Sequence, residues 1–305
     1  MRKIITIALI LFSKFIFYNV VYGHDEFKKN VLTIGKATDK VIKEQKYLEP
    51  IITYLSTKLK DVGIEQGEVV LAGNNKEVIE YLKKENLDII LETPFSAYLY
   101  KIKANATPIL SAWRKDVGEY NSIVFTRKDS EIHRLEDLNG RLIAFEDPGS
   151  TSAYFLPKFS MMKEGYDLIE IDSLNSPVPK DKIGYVFLGS ELNISNWVFF
   201  NKVDAGALSS SDWTDHKDNP AIYRKEFEVI YETMKVPRML VIVREGLDKK
   251  LVKRIKEELL KMDKSEEGRK SLEPFKINKF VELTNDVLKP VEAMLTHTSV
   301  KEELY

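Results

Sequence analysis

The sequence predicts an α/β protein built from two domains. Short apolar segments typical of buried strands alternate with longer segments whose apolar residues recur at helical spacing. The chain has 305 residues, enough for two domains of ordinary size, and 44% of them are hydrophobic. The alternation favours mostly parallel sheets covered by helices on both faces, and in such sheets ligands bind at the carboxyl ends of strands.

The first 23 residues predict a secretory signal peptide. Arg2 and Lys3 precede an apolar run over residues 4–12, and residues 21–23 are small enough for a cleavage site. The alternative is a membrane anchor, but Lys14 interrupts the run well short of the roughly 20 residues that a membrane span needs. The chain has no cysteine, which excludes a lipid-modified N-terminal cysteine. We therefore expect the mature chain to be free in the periplasm.

Charge and residue usage argue against several function classes. The 46 basic and 47 acidic residues leave a net charge of −1, which gives no indication of a nucleic-acid partner. There is no cysteine nucleophile and no Gly-rich nucleotide loop, and the four histidines lack metal-ligand spacing. We expect a protein that is not an enzyme and needs no cofactor or metal.

The first domain begins with a strand at residues 31–35 and a polar loop at 36–40, followed by a helix with Pro50 in its first turn. A second strand at 68–71 precedes Asn74 and Asn75, which can cap a helix. A third strand, 87–91, ends at Glu92 and Thr93. The carboxyl ends of these strands place four candidate ligand-binding residues at one sheet edge: Thr38, Asn75, Glu92 and Thr93.

Further strands are predicted at residues 108–113, 123–125, 142–145, 183–188, 203–208, 228–231 and 239–243. Polar stretches at 114–120 and 209–219 mark the crossings between domains, and the last two strands are expected to rejoin the first sheet. Residues 197–200 predict a helix with Trp197, Phe199 and Phe200 in the core. The domain boundaries that follow are 24–118 with 225–305 for the first domain and 119–224 for the second.

One stretch in the second domain predicts an anion site. An apolar run over residues 142–145 indicates a buried parallel strand, Asp-Pro-Gly breaks it, and Ser150, Thr151 and Ser152 begin a helix. At a helix start the first N–H groups lack intrahelical partners and the dipole is positive, so an anion is stabilised there. The alternative is that Ser150 is only an N-cap. Pro157 predicts a kink or a restart after the first turn.

A spaced set of motifs carries a family resemblance: residues 120–124, 127–130, 135–140 and 145–152, with Pro157. With these motifs the chain resembles the PhnD-like family, the phosphate, phosphite and phosphonate substrate-binding proteins of ABC transporters. The resemblance implies a type II periplasmic-binding fold, with two α/β lobes that close on a ligand in the cleft between them. It implies ligand contacts from Ser150, Thr151 and Ser152, and from Tyr120 as the pocket tyrosine.

The chain departs from the family pattern at several pocket positions. Asn75 stands where phosphonate binders have a tyrosine, and Glu191 where many members have a histidine. Ser211 and Met239 replace the acidic residues that hold an aminoalkyl phosphonate's ammonium, which argues against 2-aminoethylphosphonate as the ligand.

Glu92 and Glu191 would repel a fully ionised anion, so we expect them to accept a hydrogen bond from a protonated oxyanion or to contact a cationic group. Arg238 can supply compensating charge. The alternative places all three residues on a solvated rim.

The resulting hypothesis is an exported, monomeric solute-binding protein that captures a small oxyanion and delivers it to an ABC transporter permease in the inner membrane. Two alternatives stay open. The chain could be a ligand-binding sensor that partners a membrane kinase or chemoreceptor, or an enzyme on the same fold.

Overall fold

A computed structural model describes residues 30–172, 174, 176–284 and 287–295. The predicted signal peptide lies outside these ranges. Among the described residues no helix is long and apolar enough to cross a membrane.

The strands in the described ranges are β1 (Val31–Ala37), β2 (Gln66–Ala72), β3 (Ile89–Glu92), β4 (Thr107–Arg114), β5 (Glu119–Tyr120), β6 (Ser122–Arg127), β7 (Leu142–Phe145), β8 (Leu168–Glu170), β9 (Ile183–Phe187), β10 (Ala205–Ser209), β11 (Phe227–Glu232), β12 (Val236–Pro237), β13 (Leu240–Val243) and β14 (Ile277–Glu282). The α-helices there are α1 (Val41–Lys58), α2 (Asn75–Lys83), α3 (Pro94–Ala104), α4 (Leu156–Lys163), α5 (Glu191–Phe199), α6 (Ser210–Thr214), α7 (Ala221–Arg224), α8 (Lys249–Leu259), α9 (Glu266–Leu272) and α10 (Lys289–Leu295).

The first sheet has six strands in the order β14-β4-β13-β3-β1-β2. Strand β1 runs parallel to β2 and β3, whereas β13 runs antiparallel to both β3 and β4. The prediction of a mostly parallel sheet is therefore wrong here. The reason is that β13 enters directly from the other sheet instead of through a strand-helix-strand crossover, and only such a crossover enforces parallel pairing.

Helix α1 begins earlier than its apolar periodicity indicates. It starts at Val41, so Pro50 lies inside the helix and not in its first turn as predicted. The apolar residues of its first turn, Val41 and Ile42, are exposed, and the buried member of that turn is the charged Glu44. A search for apolar spacing alone therefore misses it, and Glu44 is important for the site described below.

The second sheet also has six strands, in the order β11-β6-β10-β7-β9-β8. Strand β7 is fully buried and lies parallel to β9 and β10, which confirms the predicted buried parallel strand before the anion motif. Strands β8, β9, β7 and β10 run in one direction, and β6 returns antiparallel beside β10.

Residues 228–231 were predicted to rejoin the first sheet, and that prediction is wrong. They belong to β11, which pairs antiparallel with β6 at the edge of the second sheet. Phe227 anchors the strand there, with its ring centroid 4.8 Å from that of Phe125. The second sheet thus extends past residue 225, because a short alternating strand specifies its buried face and not its partner.

Of the three aromatic residues predicted in the core near α5, one is on the surface. Phe200 is 60% exposed, whereas Phe199 stacks on Tyr223 with ring centroids 4.1 Å apart. Helix α5 ends at Phe199, so the next side chain leaves the buried face.

The chain crosses between the two sheets at a short antiparallel ribbon. Strand β5 follows the first sheet and β12 leads back to it, and the two pair at Tyr120 with Val236 and at Glu119 with Pro237. The ribbon therefore places Tyr120 beside both sheets.

Candidate anion-binding site

The turn after β7 sets up the helix start as the sequence predicts. The Gly149 N–H donates to the Asp147 carboxylate at 2.7 Å, and Ser150 Oγ accepts from the Ala153 N–H at 3.1 Å, which makes Ser150 an N-cap. One wide helical turn, Thr151–Phe155, follows before α4 restarts with Pro157 in its first turn. This confirms the predicted restart and fixes the direction of the three hydroxyl residues.

Thr151 contacts the first sheet directly. Its Oγ1 donates to Thr93 Oγ1 at 2.8 Å and accepts from the Phe95 N–H at 3.2 Å. Thr93 and Phe95 follow strand β3 and begin α3. The rings of Phe95 and Phe155 stack beside them with centroids 4.1 Å apart. The carboxyl ends of β3 and β7 therefore meet at this hydroxyl pair.

Tyr120 lies against the same hydroxyl groups and is only 1% exposed. Burial raises the pKa of its phenol, while the charge of Arg238 and hydrogen bonds with the hydroxyls of Ser152 and Thr151 act in the opposite direction. The Arg238 guanidinium lies 4.6 Å from the ring centroid. The structure thus brings Tyr120, Ser152 and Arg238 together, although they are far apart in sequence.

Asn75 faces the turn from the other side. Its Nδ2 donates to Ser96 Oγ at 3.2 Å, and its Oδ1 accepts from the Tyr100 hydroxyl at 2.6 Å. A side chain added at Gly149 would begin 4.0 Å from the Asn75 amide nitrogen. The predicted residue therefore lies beside the anion motif, with its amide oriented by α3.

Glu92 has its charge balanced within the first sheet. Its Oε2 accepts from the Thr93 N–H at 2.8 Å, and its Oε1 lies 3.7 Å from Lys36 Nζ. Lys36 also lies 3.7 Å from the buried Glu44 carboxylate. Sequence reasoning marked the loop that begins at Lys36 but missed Glu44, whose signal was its position just after that loop.

A carboxyl pair lies on the second-sheet side of the motif. Glu191 begins α5, and it interacts with Glu146, which directly follows β7. Burial raises the pKa of Glu146 well above its usual range, the nearby charges of Glu191 and Asp147 raise it further, and the Ser150 hydroxyl opposes them. Glu146 was missed, although its place at a strand's carboxyl end was the available signal.

Asp218 lies near Glu191 of this pair, and Arg114 lies near Arg238 and Glu44. Burial raises the pKa of Asp218 to about 6, and the charges of Asp212 and Glu191 add to the effect. Burial lowers the pKa of Arg114, as does the charge of Arg238, while Glu44 and Asp212 act to raise it. Arg114 is therefore within electrostatic range of charges from both sheets.

Thr38 is placed differently from the other candidates. It lies in the turn between β1 and α1, where its Oγ1 accepts from the Lys40 N–H at 2.9 Å. Its N–H also donates to the Ala72 carbonyl at the end of β2 at 2.8 Å, and neither hydrogen bond connects Thr38 to the hydroxyl pair.

Elsewhere in the described residues a metal-binding cluster is absent, and a surface pocket lies away from the predicted site residues. In those ranges no group of three or more acidic or histidine side chains could hold a metal ion. A surface pocket of about 760 Å³ lies beside α8, lined by residues such as Lys249 and Leu260, and contains no predicted site residue. The candidate ligand-binding site is therefore the contact between the two sheets, where the predicted site residues and the charged groups lie.

Comparison with known proteins gives a consistent assignment. A family model described as "ABC transporter, phosphonate, periplasmic substrate-binding protein" matches residues 40–288. XAC2383 from Xanthomonas citri, solved with a chloride ion, superposes with a TM-score of 0.85 at 28% identity, covering 90% of this chain and 99% of that one. Its ATP-bound structure gives 0.83 at 26% identity, covering 90% and 98%.

Of two further similar proteins, one has a lower sequence identity and the other matches a smaller part of the chain. PhnD1 from Prochlorococcus marinus, solved with methylphosphonate, shares the fold with a TM-score of 0.67 at 19% identity, over 89% of this chain and 99% of that one. The phosphate-import protein PhnD of Mycolicibacterium smegmatis is 31% identical over 102 residues. That match spans 32% of each chain, about a third of the relative's length.

Proposed function

The chain belongs to the family of periplasmic phosphonate substrate-binding proteins of ABC transporters, and from this we propose that it captures a solute bearing a phosphorus oxyanion between its two sheets. The fold is the type II periplasmic-binding fold. Members of this family serve transport as substrate-binding components and are not enzymes.

The observation that supports this proposal is the hydroxyl pair of Thr93 and Thr151, with Ser152 and Tyr120 beside it. These groups are neutral donors at the carboxyl ends of strands from two different sheets. A tetrahedral oxyanion bound beside this pair would accept hydrogen bonds from residues of both sheets and from the free N–H groups at the helix start. Binding would therefore stabilise the arrangement in which the sheets are close together.

The carboxyl pair favours an anion that keeps a proton or carries limited charge. The raised pKa of Glu146 weakens its repulsion of an oxyanion bound beside Ser150, and Glu191 can accept a hydrogen bond from a protonated oxyanion. Hydrogen phosphate has such a proton at neutral pH, whereas sulfate does not. Arg238, over the Tyr120 ring, supplies a compensating positive charge.

The relatives support an anionic ligand. XAC2383, over a quarter identical to this chain across most of its length, is solved with chloride and with ATP. The partial relative from M. smegmatis is named a phosphate-import protein. Phosphate, phosphite and phosphonate-like compounds are accordingly the ligand classes to test.

The family is periplasmic and supplies solutes to permeases. We infer that this chain is exported by a cleaved signal peptide at residues 1–23, acts as a monomer and delivers its solute to a permease in the inner membrane. We also infer that two lobes, 24–118 with the last part of the chain and a second lobe that extends through β11, close about the β5–β12 ribbon.

The first test is the removal of one hydroxyl from the pair. Thr151→Val keeps the side-chain shape and the Ser150 cap but removes the donor. We expect about tenfold to a hundredfold weaker binding of the best phosphorus oxyanion, because a hydrogen bond to a charged group contributes about 1.5–3 kcal/mol. Isothermal titration of residues 24–305 with phosphate, phosphite, methylphosphonate and sulfate measures the affinities.

The matched control is Thr57→Val, which changes an exposed threonine on α1 in the first sheet's layer. It should leave every affinity unchanged. If ligand-free wild type binds none of the phosphorus compounds, or if Thr151→Val binds as tightly as wild type, the proposed anion site is wrong.

A further inference from the structure

Glu44 has a buried carboxylate oxygen without a hydrogen-bond donor. The residue is 7% exposed, and among the described residues its Oε2 has no hydrogen-bond partner. Lys36 Nζ lies 3.7 Å away, which is an ion-pair distance beyond hydrogen-bond range. Leaving such an oxygen unsatisfied is costly, so a missing donor is expected there.

The position of Glu44 relates this oxygen to the anion site. Glu44 lies in the first turn of α1, which follows the carboxyl end of β1. Lys36, near the end of β1, lies 3.7 Å from both Glu44 and Glu92. Glu92 ends β3 and binds the N–H of Thr93, whose hydroxyl meets Thr151. The open oxygen is therefore at the same edge of the first sheet as the hydroxyl pair.

The charges around Glu44 indicate what kind of donor is missing. Lys36 balances one of the two carboxylates, and Arg114 is close enough for Glu44 to raise its pKa. Lys36 and Arg114 are both held over the Phe275 ring, at 5.8 and 5.0 Å from its centroid. Two cations and two carboxylates leave no net charge, so a ligand ammonium would meet Lys36 without a surplus carboxylate to pair with.

We infer that Glu44 Oε2 accepts a hydrogen bond from a hydroxyl group on the organic part of the bound solute, so that the protein selects hydroxyl-bearing phosphate monoesters over inorganic or alkyl ones. This inference rests on the proposed function, because the phosphoryl group must bind beside the Thr93–Thr151 hydroxyl pair. The polar part of the ligand then extends from the second sheet towards α1. An alkyl chain cannot donate a hydrogen bond, so it would leave the buried carboxylate oxygen unpaired. The cost of that unpaired oxygen would lower the affinity for alkyl phosphates.

Pairs of ligands matched in chain length test this directly. Glycerol 3-phosphate is compared with propyl phosphate, and ribitol 5-phosphate with pentyl phosphate, by isothermal titration of residues 24–305. We expect the hydroxyl-bearing member of at least one pair to bind at least about tenfold more tightly. In Glu44→Gln and Glu44→Asp, which remove the charge or withdraw the oxygen, that preference should fall to less than about threefold, because the alkyl ligand no longer leaves a buried carboxylate oxygen unpaired.

Glu49→Gln, an exposed change on the same helix, should keep the wild-type preference. Equal affinities within both ligand pairs for wild type would overturn the inference while leaving the anion site intact, as would a preference that survives both Glu44 variants. Failure of all four phosphate monoesters, of inorganic phosphate, of phosphite and of methylphosphonate to bind would instead remove the proposed function itself. The ligand pairs measured on wild type decide the question even if a Glu44 variant does not fold.

Discussion

The carboxyl group of Glu146 has an environment that only the folded chain creates. Its sequence neighbours place it at the end of a strand, but its burial and the charge of Glu191, 45 positions later, raise its pKa. Ser150 from the anion motif acts in the opposite direction. The protonation of this one residue therefore depends on three elements of the second sheet's layer.

Stability should consequently fall as pH rises past the usual range of this carboxyl group. A raised pKa means that the folded state holds the proton where the unfolded chain has lost it, starting near pH 4.5. Between that pH and the raised pKa the native state binds more protons, so the free energy of unfolding decreases with pH. In Glu146→Gln this contribution is absent, and urea unfolding from pH 4.5 to 8 should show the variant gaining stability relative to wild type.

Glu49→Gln supplies the control, since this residue on α1 is exposed to solvent. Its stability difference from wild type should not change across the same pH range. If the free energies of unfolding of wild type and Glu146→Gln changed with pH in the same way, the carboxyl pair would not hold a proton in the folded state.

At the scale of secondary-structure elements, helix starts position the site. The start of α2 is fixed by Asn74, whose Oδ1 accepts from the Glu77 N–H at 3.0 Å. In return Glu77 accepts from the Gly73 N–H at 2.9 Å. Asn75, the next residue, is thereby directed at the turn before Ser150. The cap was predictable because its residue types carry the signal locally.

Loss of this cap should destabilise the protein measurably. Asn74→Ala removes the acceptor for the Glu77 N–H, and replacement of such a cap costs about 1 kcal/mol. Chemical denaturation should show this decrease in the free energy of unfolding. Lys76→Ala, an exposed change in the same helix, should stay within about 0.5 kcal/mol of wild type. Equal stability of the two variants would mean that the cap does not hold the helix start.

For two other elements, the local sequence did not predict the helix start or the strand partner. Helix α1 begins about two turns before its stripe of buried apolar residues, so the apolar pattern did not indicate Glu44. Strand β11 pairs with β6 in the second sheet, although its own residues do not specify that partner. Both errors have one origin: the local pattern reports which face is buried, and the partner is chosen by packing between distant segments.

At the scale of the whole molecule, the two sheets meet through Thr93 and Thr151 and are connected by the β5–β12 ribbon. A second contact joins them where Lys115, after β4, pairs with Asp215, after α6, at 2.7 Å. Because the two crossing strands pair with each other, we expect the sheets to move relative to one another by bending at this ribbon. A bound oxyanion would add contacts to both sheets at once.

Ligand binding should therefore narrow the distribution of distances between the sheets. The chain has no cysteine, so Lys60→Cys with Lys180→Cys places spin labels on exposed sites beside the first and second sheets. We expect pulsed electron paramagnetic resonance to show a shorter and narrower distribution of distances between these two labels when a phosphorus oxyanion that binds is added. Labels at Lys60 and Lys84, both beside the first sheet, should not change. Superimposable distributions for the first pair would exclude closure about the ribbon.

The sequence by itself determined the α/β class, the family resemblance, the helix start at Ser150 with its restart near Pro157, and the adjacency of Ser150, Thr151 and Ser152. These features depend on residues close together in the chain, whose turn chemistry, capping and apolar spacing act locally. Only the tertiary structure decided that Thr93 contacts Thr151, that Glu146 interacts with Glu191, and that among the described residues one Glu44 carboxylate oxygen has no hydrogen-bond partner. Those facts depend on which strand ends meet and how much water they exclude, and both are set by packing between segments that the sequence separates.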